Sequence, residues 1–405
     1  MSHELVLGLG GCVDFEVAWD PRVLEQLAAE HGIGLEDLDA GLAVEDERSL
    51  VCSLLAFVRD GVGGERFIAS SEIAIAFAAR FPCRVTLGGT CVRAALALAR
   101  LGVPSLVHLV SIDDNVRQLL APGIDYISSA RGDTLDPHLI VQFPAGATVA
   151  VRDGVVRADH PNRVIYVNDP PNRDLLLSPE LPRALETARA FLPAGFNVMR
   201  DPGLLNDRLV FLQGAMTRLP AGAVVFYEDA GFHDNAMRVI VNRAFRGRID
   251  VHSLNEDELQ SYLGRRMDLL DVDDVVTALV EFAPQAIAST VVVHTKHWAL
   301  AYGDRAGDFA AALAGGVDLA STRYRFGDGF TAADLESVRA LPVQAGGARF
   351  AEQIGARLGE RVRCVPGRVL DTATPTTIGL GDTFVGGFLA TVVHGRLGAS
   401  ASVES

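Results

Sequence analysis

The stretch Gly379–Ala390 reads GLGDTFVGGFLA and gives the clearest indication of fold and chemistry in the chain. Glycines in front of an amphipathic helix leave backbone N–H groups free, and the helix dipole favours an anion at that end. Asp382 stands at the start of the predicted helix, where its carboxylate can accept a proton from a hydroxyl that attacks a phosphoryl group. The alternative is that Asp382 is an ordinary N-cap, which stabilises a helix by about 1 kcal/mol.

Short apolar runs alternate with amphipathic stretches along much of the chain. The predicted strands are Leu5–Gly8, Val85–Leu87, Ser105–Val110, Ala223–Tyr227, Val251–Ser253 and Thr290–His294. The predicted helices are Thr90–Leu101, Asn235–Ala244, Glu256–Leu263, Val272–Phe282 and Thr383–Val393. This alternation predicts an α/β fold with a large, mostly parallel sheet that helices flank on both faces. Such sheets bind ligands beyond the carboxyl ends of their strands.

Two segments interrupt the alternation. Residues 16–82 are acidic and helix-rich, and residues 137–170 contain apolar runs typical of strands, with a turn at Asp153-Gly154. We expect these two insertions to assemble into one small α+β domain that covers a cleft as a lid. The large domain would then comprise residues 1–15, 83–136 and 171–405.

Composition excludes several classes of function. The chain has 405 residues and a formal net charge of −15, so no broad basic surface is available for nucleic acid or anionic lipid. Lys296 is the single lysine, so a phosphate contact elsewhere must use arginine, backbone amides or a metal ion. The sequence shows neither a signal peptide nor an apolar run of about 18 residues, and we expect a cytoplasmic protein without a membrane span.

The cysteines are scattered along the chain, at Cys12, Cys52, Cys83, Cys91 and Cys364. None forms a CxxC pair, and none has a histidine at the sequence spacing of a zinc site. The odd, scattered set predicts buried, reduced thiols in a cytosolic protein.

Acidic side chains follow two of the predicted strands. Glu228 lies at the end of the strand in FYEDAG, and HSLNEDEL joins the next strand to a helix that carries Asn255 and Glu258 on one face. Carboxylates at the carboxyl ends of neighbouring strands are typical of a magnesium site. The alternative for the second motif is an acidic first turn that complements the helix dipole.

Polar and glycine residues also follow the first strand. Asp14 comes after Gly10 and Gly11, and a carboxylate there can accept hydrogen bonds from two substrate hydroxyls. Gly88 and Gly89 precede the first long helix and allow close backbone approach to a polar ligand. The alternative for both is turn geometry alone. The chain has neither GxGxxG nor GxxxxGK[ST], which excludes the ordinary dinucleotide and P-loop sites.

In this order, the motifs resemble those of the ribokinase-like superfamily and, within it, the ADP-dependent glucokinase/phosphofructokinase family. The matching segments span nearly the whole chain and read VDFE, LGGT, HLIVQFPAG, RVIYVNDPPN, FYEDAG, SLNEDEL, VHTK, STRYRFGD and PTTIGLGDTF. ATP-using sugar kinases of the superfamily share the GxGD motif but are usually shorter. The resemblance implies in-line phosphoryl transfer in a cleft between a large sheet domain and a small lid.

The resemblance also implies roles for individual residues. Asp382 would be the catalytic base, and the backbone of Gly379, Leu380 and Gly381 would form the anion hole for the β-phosphoryl group of ADP. The implied Mg²⁺ contacts are Glu228, Asn255 and Glu258; the implied sugar contacts are Asp14, Gly88, Gly89, Gln142 and Arg163; the implied nucleotide contacts are His294, Thr295, Lys296 and Arg323.

Two positions depart from the family pattern. Phe226 stands where the family has the histidine of its HxE motif, so the role of that imidazole is lost at this position. Gln142 stands where glucose enzymes of the family carry a glutamate that contacts a sugar hydroxyl. The phosphofructokinases use basic residues, including lysine, for the substrate phosphate. The lid of this chain has no lysine, which leaves Arg163 and Arg173 for that role.

Together the motifs predict a magnesium-dependent kinase that moves the β-phosphoryl group of ADP to a hydroxyl of a hexose or a hexose phosphate. The two departures favour opposite substrates and leave the sugar open. One alternative is an ATP-dependent sugar or nucleoside kinase of the same fold. Another is a non-catalytic protein that binds a sugar or nucleotide, although such a protein does not need the base Asp382.

Overall fold

A computed structural model describes residues 3–372, 375–395 and 397. The strands are β1 Leu5–Leu7, β2 Cys12–Val17, β3 Gly64–Phe67, β4 Cys83–Gly88, β5 Ser105–Leu109, β6 Ile124–Ser128, β7 His138–Phe143, β8 Thr148–Val151, β9 Gly154–Arg157, β10 Asn162–Val167, β11 Ala190–Leu192, β12 Val224–Glu228, β13 Val251–Asn255, β14 Thr290–His294, β15 Trp298–Gly303 and β16 Val362–Pro366. The helices are α1 Pro21–Glu30, α2 Glu47–Asp60, α3 Ser71–Ala78, α4 Thr90–Ala99, α5 Asp114–Leu119, α6 Pro170–Asp174, α7 Leu181–Ala184, α8 Pro202–Met216, α9 Asn235–Phe245, α10 Glu256–Leu263, α11 Val272–Phe282, α12 Ala310–Phe326, α13 Ala332–Arg339, α14 Ala345–Leu358 and α15 Leu380–His394.

The larger sheet has the strand order β16-β15-β14-β13-β12-β11-β1-β5-β6. The strands from β6 to β14 are all parallel, and β15 and β16 extend the edge in antiparallel pairing. Helices α4, α12 and α15 cover one face, and α8 and α9 cover the other. The predicted α/β fold is therefore confirmed. Its strands β12, β13 and β14 all end at the same edge, which carries Glu228, Asn255 and His294.

Glycines allow α12 and α15 to pack in close contact on this sheet. A Cβ atom at Gly387 of α15 would lie 2.4 Å from the Gly315 carbonyl oxygen, and one at Gly316 would lie 2.6 Å from the Phe384 ring. Real Cβ atoms do not approach so closely, so both helices need glycine at the crossing. This packing holds the N-terminus of α15 at the carboxyl edge of the strands.

A second sheet has the order β3-β10-β7-β2-β4. β4 was predicted as part of the main sheet, but it pairs antiparallel with β2. The predicted limits at 15/16 and 82/83 therefore cut β2 in two and separate β4 from its sheet. β4 lies close to its predicted position, whereas β2 was not predicted as a strand. A short apolar run does not reveal its pairing partner.

The two faces of this second sheet differ in composition. Leu139, Val141 and Tyr166 point into a core that helices α1, α2 and α3 complete. The alternate positions carry Asp14, His138 and Arg163, which face the larger sheet across a cleft. The β8–β9 hairpin turns at Arg152-Asp153, one residue before the predicted turn at Asp153-Gly154. Among the described residues, no helix has the length and apolarity to cross a membrane.

Candidate active site

Two cavities flank the N-terminus of α15. The first, here called the inter-sheet cavity, has a volume of about 290 Å³ and lies between the two sheets. The second, here called the strand-end cavity, has a volume of about 560 Å³ and lies beyond the ends of β13 and β14. Gly379 and Asp382 line the first, whereas Leu380 and Gly381 line the second. The start of α15 is thus the boundary between the two cavities.

The backbone at the start of α15 depends on glycine. Gly379 has φ +70°, and a Cβ atom there would lie 2.7 Å from Cδ of Arg93. Gly379 is itself the N-cap residue, and no described side chain caps the helix. Asp382 is therefore not the N-cap, so the alternative that it merely caps the helix is wrong. Its carboxylate faces the inter-sheet cavity, and the first N–H groups of α15 are free of a side-chain cap.

A buried ion pair forms one wall of the inter-sheet cavity. Nη2 of Arg93 lies 2.5 Å from Oδ2 of Asp14 and 3.8 Å from Oε1 of Glu16. Burial disfavours the charge on Arg93, but the carboxylates of Asp14 and Asp382 outweigh it and raise the pKa of the guanidinium. The sequence analysis missed Arg93, although a lone arginine within the apolar run of α4 was a signal for a buried partner.

Gly88 and Gly89 make room for this arrangement. A Cβ atom at Gly88 would lie 2.4 Å from Oδ2 of Asp14, and one at Gly89 would lie 2.9 Å from the Gly11 Cα atom. Gly89 lines the inter-sheet cavity, whereas Gly88 lies behind Asp14 and does not line it. The two glycines thus allow the carboxylate to sit between β2 and the start of α4.

A hydrogen-bonded network adjoins this ion pair at Asp14. Sγ of Cys12 lies 3.4 Å from Nδ1 of His138, whose Nε2 atom lies 3.0 Å from Oδ2 of Asp169. Asn172 donates to that same oxygen at 2.6 Å. Burial disfavours the charged imidazole, but Cys12 and Asp169 raise the pKa of His138 well above its ordinary value. Burial and the charge of Asp14 raise the pKa of Cys12 to about 12, with His138 opposing them.

This network corrects the expectation that no cysteine has a histidine partner. Cys12 and His138 are 126 positions apart, and the parallel register of β2 and β7 places His138 opposite Asp14. Motif spacing detects only ligands that are close in sequence, so the pair could not be found that way. All five cysteines are free thiols, as expected, but Cys83 is exposed and Cys364 is only partly buried.

The acids at the strand ends lie side by side. Oε1 of Glu228 lies 2.8 Å from Nε2 of His294, and the buried Oε2 atom has no partner among the described residues. Glu258 accepts a hydrogen bond from the backbone N–H of Asn255, whose side chain caps α10 in return. Burial and the nearby Glu228 charge raise the pKa of Glu258 well above its ordinary value.

The hydrogen bonds at the strand ends decide which of the predicted Mg²⁺ contacts remain available to a metal ion. The Asn255 side chain and one Glu258 oxygen form a capping box at the start of α10, so Asn255 serves as the N-cap of this helix. A divalent cation would satisfy the orphaned Glu228 oxygen and would relieve the repulsion between the buried Glu228 carboxylate and the half-buried Glu258 carboxylate. Glu228 and Glu258 therefore fit a magnesium ion, whereas Asn255 is committed to the helix.

A family model confirms the resemblance. The model for the "ADP-specific Phosphofructokinase/Glucokinase conserved region" matches residues 3–390. The chain belongs to this family. No curated protein matches the sequence.

Solved structures agree with the family assignment. A phosphofructokinase from Pyrococcus horikoshii OT3 with AMP is 16% identical, with a TM-score of 0.78, and the alignment covers 97% of this chain and 98% of that one. An ADP-dependent kinase complex with fructose-6-phosphate and ADPβS is 13% identical, with a TM-score of 0.71 and coverage of 97% and 94%. Adenosine kinase from Sinorhizobium meliloti is 14% identical, with a TM-score of 0.52 and coverage of 98% and 90%. At these identities the likeness establishes the fold.

The first departure from the family pattern lies in the core. Phe226 is buried, and its ring centroid lies 4.9 Å from that of Phe388 on α15. The imidazole beside Glu228 comes instead from His294 at the end of β14. Burial disfavours the charged form of His294, but Glu228 raises its pKa above the ordinary value. The site thus retains an imidazole–carboxylate pair that the sequence motif suggested was lost.

The second departure lies outside the cavity lining. Gln142 is exposed and is paired in register with Arg163 on β10. Arg163 lines the inter-sheet cavity, and its guanidinium has no hydrogen bond or ion pair to any described residue. Desolvation and the nearby Arg93 charge lower the pKa of Arg163. Arg173 lies elsewhere, 3.8 Å from Asp174, which leaves Arg163 as the free cation in this cavity among the described residues.

Three of the four predicted nucleotide residues meet in the strand-end cavity. His294, Thr295 and Lys296 line it, and the His294 ring stacks on Phe384 at a centroid distance of 4.7 Å. Arg323 does not line it. Its guanidinium binds Asp328 at 2.8 Å and the carbonyl oxygen of Ile378, directly before Gly379. Arg323 therefore anchors the glycine loop rather than facing the cavity.

Proposed function

We propose that this protein is an ADP-dependent sugar kinase that transfers the β-phosphoryl group of ADP to a hydroxyl of a hexose or hexose phosphate and releases AMP. The observation that carries this proposal is the position of α15 between two cavities. A phosphoryl group that passes from one cavity to the other must pass the N-terminus of this helix. That end offers uncapped backbone N–H groups and a favourable dipole for an anion.

The strand-end cavity is assigned to the nucleotide. Its volume of about 560 Å³ is in the range of cavities that hold small ligands. Lys296, the single lysine of the chain, lies there and supplies positive charge. The Pyrococcus horikoshii phosphofructokinase structure with AMP has the same fold, which supports a nucleotide site in this protein.

The inter-sheet cavity is assigned to the acceptor. The Asp14 carboxylate, held by Arg93, accepts hydrogen bonds from sugar hydroxyls. Asp382 accepts the proton of the attacking hydroxyl while its oxygen forms the new bond to phosphorus. The bond from the β-phosphorus to the bridging oxygen breaks, and AMP leaves with that electron pair.

Mg²⁺ would be held by Glu228 and Glu258. When bound, it neutralises charge on the phosphate oxygens. The protein's own contribution at this point is to fix the two carboxylates at the ends of β12 and β13. His294 holds one Glu228 oxygen and leaves the other free to face a cation.

Arg163 favours a phosphorylated acceptor. It forms no ion pair with a described residue, although the charge of Asp382 acts on it in opposition to that of Arg93. A phosphate group in the cavity would satisfy this charge through strong, charge-assisted hydrogen bonds. We therefore assign the acceptor to the hexose phosphates, with glucose as the competing candidate. Gln142 does not line the cavity, although its register pairing puts it on the same face of the sheet as Arg163.

The test is a turnover matrix with Mg²⁺ that crosses ADP and ATP with glucose, fructose 6-phosphate and other sugars and nucleosides. We expect AMP to form from ADP, with fructose 6-phosphate as the better acceptor. Turnover with ATP alone would contradict the proposed donor. Binding of ligands without turnover in any combination would contradict the assignment as a kinase.

A further inference from the structure

We propose that Cys12, Asp14 and His138 form a binding site for a thiophilic divalent cation such as Zn²⁺ on the floor of the inter-sheet cavity. This site is separate from the magnesium site at Glu228 and Glu258. The binding of the cation does not depend on the proposed function. The effect of the cation on turnover does depend on the proposed function, because the cation would occupy Asp14 and so exclude the sugar.

The three ligand atoms form a triangle of suitable size. Sγ of Cys12 lies 3.3 Å from Oδ1 of Asp14 and 3.4 Å from Nδ1 of His138. Nδ1 of His138 lies 3.8 Å from Oδ1 of Asp14. Tetrahedral zinc with ordinary bond lengths to sulfur, nitrogen and oxygen separates its ligand atoms by about 3.3 to 3.6 Å. An ion would therefore fit this triangle after shifts of a few tenths of an ångström.

The histidine has the supporting contacts of a metal ligand. With Nδ1 directed at the triangle, Nε2 lies 3.0 Å from Oδ2 of Asp169. A carboxylate on the far nitrogen fixes the ring and the tautomer and increases the basicity of the ligating nitrogen. Asn172 bonds to Asp169 and to the Gly11 carbonyl oxygen, so the carboxylate is itself held in place.

The chemistry of the ligands selects the ion. Sulfur and imidazole ligands favour Zn²⁺ and related ions, whereas Mg²⁺ prefers oxygen ligands. All three side chains line the inter-sheet cavity, so water or a substrate hydroxyl can complete the coordination from that side. Arg93 binds the other oxygen of Asp14 and leaves Oδ1 for the ion.

The test uses Co²⁺ as a spectroscopic probe on the reduced, full-length chain without nucleotide or sugar. We expect one equivalent to bind with a thiolate-to-cobalt charge-transfer band, and we expect Zn²⁺ to displace it. Cys12→Ser should abolish the band, and His138→Gln should weaken binding by more than about tenfold. Asp169→Asn, which alters only the support, should weaken binding by about tenfold.

Cys83→Ser is the matched control, because Cys83 is exposed and lies outside the cavity. The band should survive this change. A band that persists in Cys12→Ser, or that disappears in Cys83→Ser, would overturn the proposed site. Thermal unfolding of each variant, with Cys12→Ala as a second replacement, identifies a variant that has failed to fold.

The effect on turnover is tested separately. Zn²⁺ should inhibit competitively against the sugar and not against ADP, and Cys12→Ser should be at least about tenfold less sensitive than Cys83→Ser. Zn²⁺ that binds at the triangle without competing against the sugar would overturn the inhibitory role. Absence of turnover with every acceptor would refute the kinase assignment and leave the cobalt titration unaffected.

Discussion

The two cavities differ in how the chain builds them. The strand-end cavity draws on contiguous motifs, since His294, Thr295 and Lys296 follow one strand and Leu380 and Gly381 begin one helix. The inter-sheet cavity combines side chains from β2, α4, β7, β10 and α15, which are brought together by pairing in the second sheet. The first can be recognised in the sequence, whereas the second exists only once the strands have paired.

The two cavities also differ in the chemical groups that line them. The strand-end cavity offers the backbone at the start of α15 and the cations Lys296 and Arg368. The inter-sheet cavity holds the cations Arg93 and Arg163 and the pair of Cys12 with His138. We therefore expect substitutions in the inter-sheet cavity to change which acceptor is used, and substitutions at α15 to abolish transfer.

The largest expected effect comes from the boundary between the cavities. Asp382→Asn should lower kcat by at least about a thousandfold, because the attacking hydroxyl loses its proton acceptor. Binding of ADP and of the sugar, measured by calorimetry, should persist within about threefold. Asp371→Asn, an exposed change outside both cavities, is the control. Retained turnover in Asp382→Asn would remove this residue as the base.

The second-largest effect should come from the loss of Arg163 in the inter-sheet cavity. Arg163→Ala should lower kcat/KM for fructose 6-phosphate by about 10- to 100-fold, because it removes a charge-assisted contact. The value for glucose should change by less than about threefold. Arg173→Ala is the matched control, since that arginine lies outside the cavity. Equal losses on both sugars would rule out Arg163 as the discriminating residue.

A smaller effect is expected at the strand ends. Glu258→Gln should raise the Mg²⁺ concentration needed for half-maximal turnover by about tenfold while the KM for the sugar stays nearly constant. Glutamine can still accept the hydrogen bond from Asn255, so the melting temperature should change little. An unchanged magnesium titration would count against Glu258 as a metal contact.

The smallest effect on turnover should come from Phe226. Phe226→His places a polar ring in the core against Phe388, which should lower the free energy of unfolding by about 1 to 3 kcal/mol. Turnover and magnesium dependence of the folded variant should stay within about twofold, as in the control Phe226→Leu. A clear change in the magnesium titration of Phe226→His alone would show that this position faces the metal site.

The sequence predicted the parts that local patterns determine. Strands β1, β5, β12, β13 and β14 of the larger sheet, the helix from GLGDTF onward and the cluster at His294 lie close to where the patterns placed them. The glycine-rich start of α15 was recognisable because its φ values and close contacts require glycine. These features depend on periodicity and turn chemistry over a few residues.

The remainder depends on pairing between distant segments. The placement of β4 in the second sheet, the contact between Cys12 and His138 and the burial of Phe226 all follow from register and packing across more than fifty residues. The contacts of Arg323 could not be predicted either. Its motif indicated an important arginine but not that the guanidinium binds the loop before α15. Only the assembled fold separates a residue that faces a cavity from one that supports it.

The most direct measurement is a crystal structure of this protein with AMP and fructose 6-phosphate bound together. We predict AMP in the strand-end cavity beside Lys296, and the sugar in the inter-sheet cavity with its acceptor hydroxyl against Asp382 and its phosphate against Arg163. Both ligands in one cavity, or an acceptor hydroxyl remote from Asp382, would contradict the assignment of α15 as the point of transfer.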